Sequence, residues 1–326
     1  MANSTYSNID EYGFQRSDDF DYKLYDLFMS EYMRTLARRA QRWSVVYKDN
    51  NYKKNKTLKR FVRKGIPIDI RTNCWMEISG AEKVKNESVL SYQQLRHQYS
   101  NQIVESIQID LPRTFPDNVF FANQQALCTM LYNVLAVFSH QNLDVGYCQG
   151  LNYIAGLLLL ATKNETATFW LLKTLVEQIL PKYYIKTMTG LLCDFEVLNE
   201  IVKKHEPLIH RHIHGIGMPW AMGTTKWFIC LYADVLPTET VLRIWDCLFL
   251  EGSKLLIRVA LALLKIHKDD ILKSTDLSEL MVVFKNMKNH PRVLDCHGFI
   301  FDVFGLSSKL TNNKIEKLRA KYQQGS

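Results

Sequence analysis

The stretch IQIDLPRTFPDNVFFANQQALCTMLYNVLAVFSHQNLDVGYCQGLNYIAG, residues 107–156, decides the fold. Its middle places apolar side chains three and four residues apart, which predicts an amphipathic helix from Asn123. Residues 151–161 are apolar on all sides, so we expect a second helix that is buried at the centre of the protein. Two short polar motifs, IQIDLPRTFP and GYCQG, flank the first helix, and we expect that helix to fix their separation.

The rest of the chain repeats the helical pattern. Apolar residues recur at helical spacing from Tyr22 towards the C-terminus, whereas alternating strand patterns are almost absent. Only 14 Gly and 8 Pro occur in 326 residues, which argues against a sandwich or barrel with many tight turns. We therefore predict a single all-α domain of many short helices with an N-terminal extension. The charged stretch Glu82–Glu87 is expected to be a loop.

The net charge of +8 is a local property of the N-terminal part. Residues 1–20 are acidic and are predicted to be disordered. Residues 21–64 are predicted to form a basic helical extension, in which Arg34–Lys64 suit contact with an anionic membrane or an acidic protein. A solvated helix face explains the same charges. No base-reading motif accompanies them, so we expect no nucleic-acid partner.

The cysteines and apolar runs indicate a cytoplasmic protein. The seven cysteines are odd in number and form no CxxC pair, which is typical of reduced thiols. The N-terminus lacks the apolar region of a signal peptide. The longest apolar run, Ile154–Ala161, is too short to cross a bilayer. Any membrane association is therefore expected to be peripheral.

No nucleotide-binding or metal-binding motif stands out. The chain lacks a GxxxxGK[ST] loop, so it is not expected to be a nucleotide-binding GTPase itself. His210, His212 and His214 alternate, but alternate positions diverge on a helix and no carboxylate or cysteine lies beside them. We expect a surface histidine cluster and no metal site. The chemistry must then come from groups supplied to a partner, or from binding alone.

The two polar motifs offer an arginine and a glutamine, each on a turn. Arg113 lies between two prolines and within reach of Asp110, while Gln149 precedes Gly150. GTP hydrolysis needs positive charge on the transferring phosphoryl group and an oriented water, and an arginine supplied by a partner is worth about 10³–10⁵ in rate. On spacing alone, a surface salt bridge and a helix-packing glycine motif explain the same residues.

The motifs together resemble those of the TBC (Tre-2/Bub2/Cdc16) domain, a family of activators of Rab GTPases. The family pattern IxxDxxRT is matched by Ile107, Asp110, Arg113 and Thr114, and the pattern YxQG by Tyr147, Gln149 and Gly150. RKGIP with Arg71 and Trp75, KWFICLY around Trp227, and LRIWDCLFLEG around Trp245 are similar to further conserved regions. The arrangement, with its basic N-terminal helix, is most similar to the growth hormone-regulated TBC proteins.

The resemblance implies a V-shaped all-α domain over residues 65–306. The lysine-rich pattern after it predicts a C-terminal helix and tail over 307–326. The resemblance also implies that Arg113 is an arginine finger and that Gln149 orients the attacking water. Asp110 and Tyr147 support these two residues, and supporting or partner-binding roles fall to Thr114, Gly150 and Trp227. GTP and Mg²⁺ belong to the partner, so the chain needs no cofactor of its own.

The leading hypothesis is a GTPase-activating protein that acts on a GTP-bound Rab in vesicle trafficking and turns over no substrate alone. A non-catalytic Rab effector or scaffold is one alternative. A cysteine hydrolase is another, with Cys148 as nucleophile and the neighbouring Gln149 in an oxyanion hole. The sequence names no particular Rab.

Overall fold

The computed structural model describes residues 7–16, 20–48, 52, 54–99, 104–123, 125–308 and 310–323. Within these ranges the ordered elements are helices, apart from two isolated bridges that pair Ile9 with Gln15 and Phe14 with Asn118. The predicted all-α fold is confirmed. None of the helices in the described ranges combines the length and the apolar character that a membrane-crossing segment requires.

The N-terminal extension contains two helices, α1 (Tyr22–Lys48) and α2 (Lys56–Lys64). The side chain of Asn55 caps α2 by accepting a hydrogen bond from the amide of Leu58, and Gly65 ends the helix at a φ of 113°. The indole of Trp43, near the end of α1, donates to the carbonyl of Gly65 at 2.9 Å. This bond fastens α1 to the turn that opens the main domain.

The first half of the main domain holds the stretch that decides the fold. Its helices are α3 (Ile68–Ser79), α4 (Ala81–Glu87), α5 (Tyr92–Tyr99), α6 (Glu105–Asp110), α7 (Val119–Asn123), α8 (Gln125–Gln141), α9 (Leu151–Thr162) and α10 (Glu165–Thr174). A short 3₁₀ turn, Leu111–Arg113, follows α6, and a π-helical turn, Leu175–Ile179, follows α10. As predicted, α9 is buried on nearly all sides, and it packs against α3, α8 and α10.

The second half completes the bundle. Its helices are α11 (Thr189–His205), α12 (Pro207–Ile216), α13 (Trp220–Ile229), α14 (Thr238–Glu251), α15 (Lys254–Ile266), α16 (Lys268–Lys273), α17 (Leu277–Asn286), α18 (Pro291–Leu294), α19 (Cys296–Leu306) and α20 (Asn312–Gln323). The stretch Met287–Asn289 is a 3₁₀ turn. Helix α14 packs against α2, α3, α15 and α19 and joins the N-terminal extension to this half.

A buried carboxylate holds the opening of the domain in place. Asp246 of α14 is fully buried and accepts hydrogen bonds from the amide of Ile66 at 3.1 Å and the indole of Trp75 at 2.9 Å. It also forms ion pairs with Arg243 at 3.0 Å and Arg71 at 3.3 Å. The α2–α3 turn, α3 and α14 therefore share one ionic centre.

The prediction of a loop at Glu82–Glu87 was wrong, because this stretch belongs to α4. Ala81 is fully buried at the start of the helix, and Lys85 pairs with Glu82 at 2.9 Å on its exposed face. Polar residues at helical spacing form a helix when tertiary packing supplies a buried anchor. Because most residues of this stretch are charged, the sequence pattern gave no sign that Ala81 would be buried.

Candidate functional site

Arg113 lies at the end of a tightened helical turn. The chain leaves α6 through the 3₁₀ turn Leu111–Arg113, which the amide of Thr114 closes by donating to the Leu111 carbonyl at 3.1 Å. The hydroxyl of Thr114 also donates to the carbonyl of Asp110 at 2.8 Å. We call residues 110–116 the arginine loop. The Arg113 side chain is 50% exposed, so the loop presents its guanidinium to solvent.

Asp110 holds both the predicted arginine and a residue of the predicted glutamine motif. Its carboxylate is nearly buried, forms an ion pair with Arg113 and accepts a hydrogen bond from the hydroxyl of Tyr147 at 2.5 Å. Burial, and then the hydrogen bond to Asp110, raise the pKa of Tyr147 above its ordinary value. The phenol therefore stays protonated and donates to one carboxylate oxygen of Asp110, while Arg113 pairs with the other.

Gln149 lies on a loop whose backbone takes positive φ angles that favour glycine at two positions. Residues 142–150, here called the glutamine loop, contain Gly146 at a φ of 59° and Gly150 at a φ of 106°. A Cβ atom on Gly150 would lie 3.3 Å from the carbonyl oxygen of Ile229, so the backbone approaches α13 closely. Gln149 is exposed at the tip, whereas Cys148 beside it is buried.

Asn152 joins the two loops, although it was not among the predicted site residues. This side chain in the first turn of α9 is fully buried. Its amide group donates to the hydroxyl of Thr114 at 2.8 Å, and its carbonyl oxygen accepts from the amide of Gly150 at 3.1 Å. A polar residue on a helix that is otherwise apolar was the available signal, since a buried amide needs partners.

We expect Asn152→Ala to lower the free energy of unfolding by about 1–3 kcal/mol, because it leaves buried polar groups of both loops without their partner. Urea unfolding followed by circular dichroism measures the change. Asn133→Ala, on α8, is the matched control and is expected to change stability by no more than about 0.5 kcal/mol. Equal effects of the two substitutions would show that the bridge contributes nothing.

Both loops contact helix α9, and α8 also packs against the 3₁₀ turn of the arginine loop. A Cβ atom on Gly156 would lie 3.1 Å from Thr114 and 3.2 Å from the ring of Phe115, so the arginine loop lies directly on this helix. The hydroxyl of Tyr153 donates to the carbonyl of Arg113 at 3.3 Å. Helix α8, which we expected to fix the separation of the loops, packs against α6 and the turn Leu111–Arg113 and leads into the glutamine loop, so α8 and α9 together position the two loops.

The N-terminal residues 7–16, which we call the N-terminal strap, pack against the arginine loop. The ring of Phe14 lies edge-on to Phe115 with 5.2 Å between centroids. The side chain of Asn118 donates to the carbonyl of Tyr12 at 2.9 Å. This order differs from the disorder predicted for residues 1–20, because two aromatic residues within the acidic segment find a buried surface. Residues 1–6 and 17–19 lie outside the described ranges.

The predicted supporting residues fall into two groups. Asp110 and Tyr147 contact the arginine directly or through one hydrogen bond, as given above. Thr114, Gly150 and Trp227 are buried, and their packing holds the scaffold without offering a surface to a partner. Trp227 stacks on Phe284 of α17 at 5.3 Å between centroids. A partner-binding role for Trp227 does not fit this position, because only 2% of the residue is exposed.

The thiol of Cys148 does not have the environment of a nucleophile. Burial raises its pKa to about 11, and the sulfur faces the carbonyl oxygen of Gln149 at 3.6 Å. A catalytic thiol is activated by positive surroundings that lower its pKa. The geometry therefore argues against the cysteine-hydrolase hypothesis.

The three alternating histidines lie on α12. His210 contacts Asn199 at 3.0 Å and stacks with His214, while His212 contacts Ser274 at 3.3 Å. In the part of the chain that the structure describes, no three metal-ligating side chains gather in a group. The cluster is built from contacts with neighbouring helices.

Comparison with known proteins gives a consistent result over most of the chain. The model of the Rab-GTPase-TBC domain family matches residues 68–272. Growth hormone-regulated TBC protein 1 of Homo sapiens is 44% identical over 95% of this chain and 94% of the human protein. GTPase-activating protein MSB4 of Saccharomyces cerevisiae is 32% identical over 82% of this chain and 63% of the yeast protein. The crystal structure of the Chlamydomonas flagellar RabGAP TBC domain is 32% identical, with a TM-score of 0.76 over 91% of this chain and 99% of that domain.

Proposed function

Because the chain belongs to the Rab-GTPase-TBC domain family, we propose that it accelerates GTP hydrolysis by a GTP-bound Rab-family GTPase, with Arg113 and Gln149 supplied in trans. The observation that carries this proposal is the double link between the two loops. Asp110 joins Arg113 to Tyr147, and Asn152 joins Thr114 to Gly150. Both exposed side chains thus stand on one buried framework and can act on one ligand.

Arg113 supplies the positive charge. An arginine is always protonated, and its planar fork donates several hydrogen bonds to phosphoryl oxygens. In the transition state it neutralises charge that develops on the transferring group, and docking of the partner removes water that would screen this effect. Asp110 holds one edge of the guanidinium, so little conformational entropy is lost when the partner binds.

Gln149 supplies the orientation of the attacking water. Its amide has a donor and an acceptor, which are the groups that position a water for in-line attack. Two hydrogen bonds hold the glutamine loop beneath it. The backbone amide of Gly150 donates to the side chain of Asn152, and the hydroxyl of Tyr147 donates to Asp110. GTP and Mg²⁺ come with the partner, so the site of this chain is half of a composite site.

The direct test is phosphate release from a panel of GTP-loaded Rabs with the wild-type protein and an Arg113→Ala/Gln149→Ala double variant. We expect the wild type to accelerate at least one Rab and the double variant to accelerate none. Tight binding of GTP-bound Rabs without faster hydrolysis would instead support the non-catalytic effector or scaffold. A panel in which no Rab is bound or accelerated would overturn both.

Replacing Gln149 alone with alanine is expected to lower the stimulated hydrolysis rate by about 10²-fold, in line with the loss of one preorganised hydrogen-bonding group. Affinity for the GTP-bound Rab is expected to change little, because the water is positioned only in the reacting complex. Single-turnover phosphate release at saturating protein separates the two effects. Gln93→Ala, an exposed glutamine on α5, serves as the control and should leave the rate unchanged.

We infer that the protein works in the cytoplasm and on membranes that carry its Rab. Contact of the segment Arg34–Lys64 with those membranes is a separate proposal that rests on its charge.

A further inference from the structure

A concavity of about 590 Å³ lies between α1, α2 and α19. The arginine loop and the glutamine loop do not contribute to it. We call it the basic pocket. Its cationic wall comes from the N-terminal extension and consists of Arg39, Lys56, Lys59, Arg60, Arg63 and Lys64. The opposite wall comes from α19 and includes Phe301 and Phe304. The predicted basic segment is thus gathered by folding into one depression.

The positive charge of the basic pocket is largely uncompensated. Glu251 pairs with two of its cations, Lys59 at 2.8 Å and Arg63 at 2.6 Å. The other four have no ion pair with any acidic side chain in the described ranges, although three of them are exposed and free to meet a ligand. An isolated salt bridge explains a pair of charges, but it does not explain four like charges around one cavity.

Crowding of charge is greatest at the inner end of the pocket. A guanidinium nitrogen of Arg39 lies 3.3 Å from the ring of His297, which also lies 3.3 Å from Arg243. Burial and the nearby Arg243 lower the pKa of Arg39 below its ordinary value. Arg243 has Asp246 as its counter-ion, whereas Arg39 contacts the imidazole of His297 and the ring of Tyr32 and forms no ion pair with a carboxylate in the described ranges. An anion in the pocket would supply the missing counter-ion.

The rim of the pocket carries an exposed aromatic residue. Phe301 on α19 is 76% exposed, although it is among the largest apolar side chains of the protein. On the same helix, the ring of Phe304 lies under the guanidinium of Arg63 with 3.5 Å to its centroid. A cationic surface beside a protruding aromatic side chain is typical of proteins that lie at a membrane interface.

We propose that the basic pocket binds the phosphorylated headgroup of an anionic membrane lipid while Phe301 enters the interfacial region of the bilayer. Phosphate monoesters carry more than one negative charge and several acceptor oxygens, which match a mixed set of lysine and arginine donors. The exposed phenylalanine favours a lipid over a free phosphorylated metabolite, which has no apolar surface to bury it. An acidic protein partner would instead give no preference among the anionic vesicles. This site is independent of the arginine loop, the glutamine loop and the proposed hydrolysis mechanism.

Vesicle co-sedimentation tests the proposal. The vesicles contain phosphatidylcholine alone, with phosphatidylserine, or with phosphatidylinositol bisphosphate, the last two at equal surface charge. We expect the third to bind the protein best. Arg60→Gln/Lys64→Gln should weaken that binding by about 25-fold, from about fivefold per charge. Lys203→Gln/Lys204→Gln, two exposed lysines on α11, should leave it unchanged.

Two further arms identify the source of the phosphate. Soluble inositol trisphosphate should bind the wild type and compete with the vesicles. Phe301→Ser should weaken vesicle binding severalfold while sparing inositol trisphosphate, and the Rab hydrolysis rate in solution should not change in any of these variants. Equal binding to both anionic vesicles, or wild-type binding by the Arg60→Gln/Lys64→Gln variant, would overturn the headgroup site. Unchanged vesicle binding by Phe301→Ser would overturn the proposal that the bound phosphate belongs to a membrane lipid.

Discussion

Replacing Arg113 with alanine is expected to lower the stimulated rate of Rab GTP hydrolysis by about 10³–10⁵-fold. The side chain is half exposed at the end of its 3₁₀ turn, so its removal leaves no cavity in the core. The loss therefore reflects transition-state charge that is no longer neutralised. Because Asp110 is nearly buried and loses Arg113 while it keeps Tyr147 as a partner, we expect the free energy of unfolding to fall by about 1–3 kcal/mol, which leaves the protein folded in the assay.

Arg113→Lys separates charge from shape at this position. Lysine keeps the positive charge but lacks the planar fork that contacts Asp110 and several phosphoryl oxygens at once. We expect Arg113→Lys to recover only a small part of the hydrolysis rate that Arg113→Ala loses. Single-turnover phosphate release at saturating protein is the measurement, and Arg211→Ala, an exposed arginine on α12, is the control. An Arg113→Ala protein that matches the wild type would remove the arginine finger from the mechanism.

Replacing Asp246 with alanine is expected to destabilise the fold by about 3–5 kcal/mol, which is the typical cost of removing one partner from a buried ion pair. The substitution leaves the buried guanidiniums of Arg71 and Arg243 without their shared carboxylate. It also leaves the amide of Ile66 and the indole of Trp75 without an acceptor. Uncompensated buried charge, rather than lost volume, dominates this cost.

Urea unfolding of the Asp246 variants distinguishes charge from packing. Asp246→Asn preserves the side-chain shape and one acceptor oxygen, so a large loss in this variant identifies the missing charge as the cause. Asp269→Ala, an exposed aspartate on α16, is the control and should stay within about 0.5 kcal/mol of the wild type. If Asp246→Ala costs less than about 1 kcal/mol, the ionic centre does not hold the domain opening.

Helical periodicity predicted the fold class well, since it depends on spacing that is visible in the chain itself. The buried helix at Leu151–Thr162 and the amphipathic helix at Gln125–Gln141 follow directly from that spacing. The helix at Ala81–Glu87 was missed because its anchor is a single small residue that packs only in the folded protein. The charged residues of this stretch wrongly indicated a loop.

The positions of Arg113 and Gln149 could be predicted from their motifs, but the framework beneath them could not. Asn152 acts through two hydrogen bonds to residues that both precede it in the sequence, Gly150 by two positions and Thr114 by 38. For Trp227 the motif predicted a supporting or a partner-binding role, and its position in the core fits only the supporting one. Burial depends on tertiary packing, which spacing does not encode.

The N-terminal strap means that the folding unit is larger than the family domain. The family match begins at residue 68, yet residues 7–16 cover Phe115 two positions after the arginine. A protein truncated at the domain boundary would expose this aromatic surface and loosen the arginine loop. An affinity tag joined ahead of the strap adds chain to an element that packs on the arginine loop, whereas a tag after α20 adds chain to a helix that packs against α11. The C-terminal position is therefore the better choice for activity measurements.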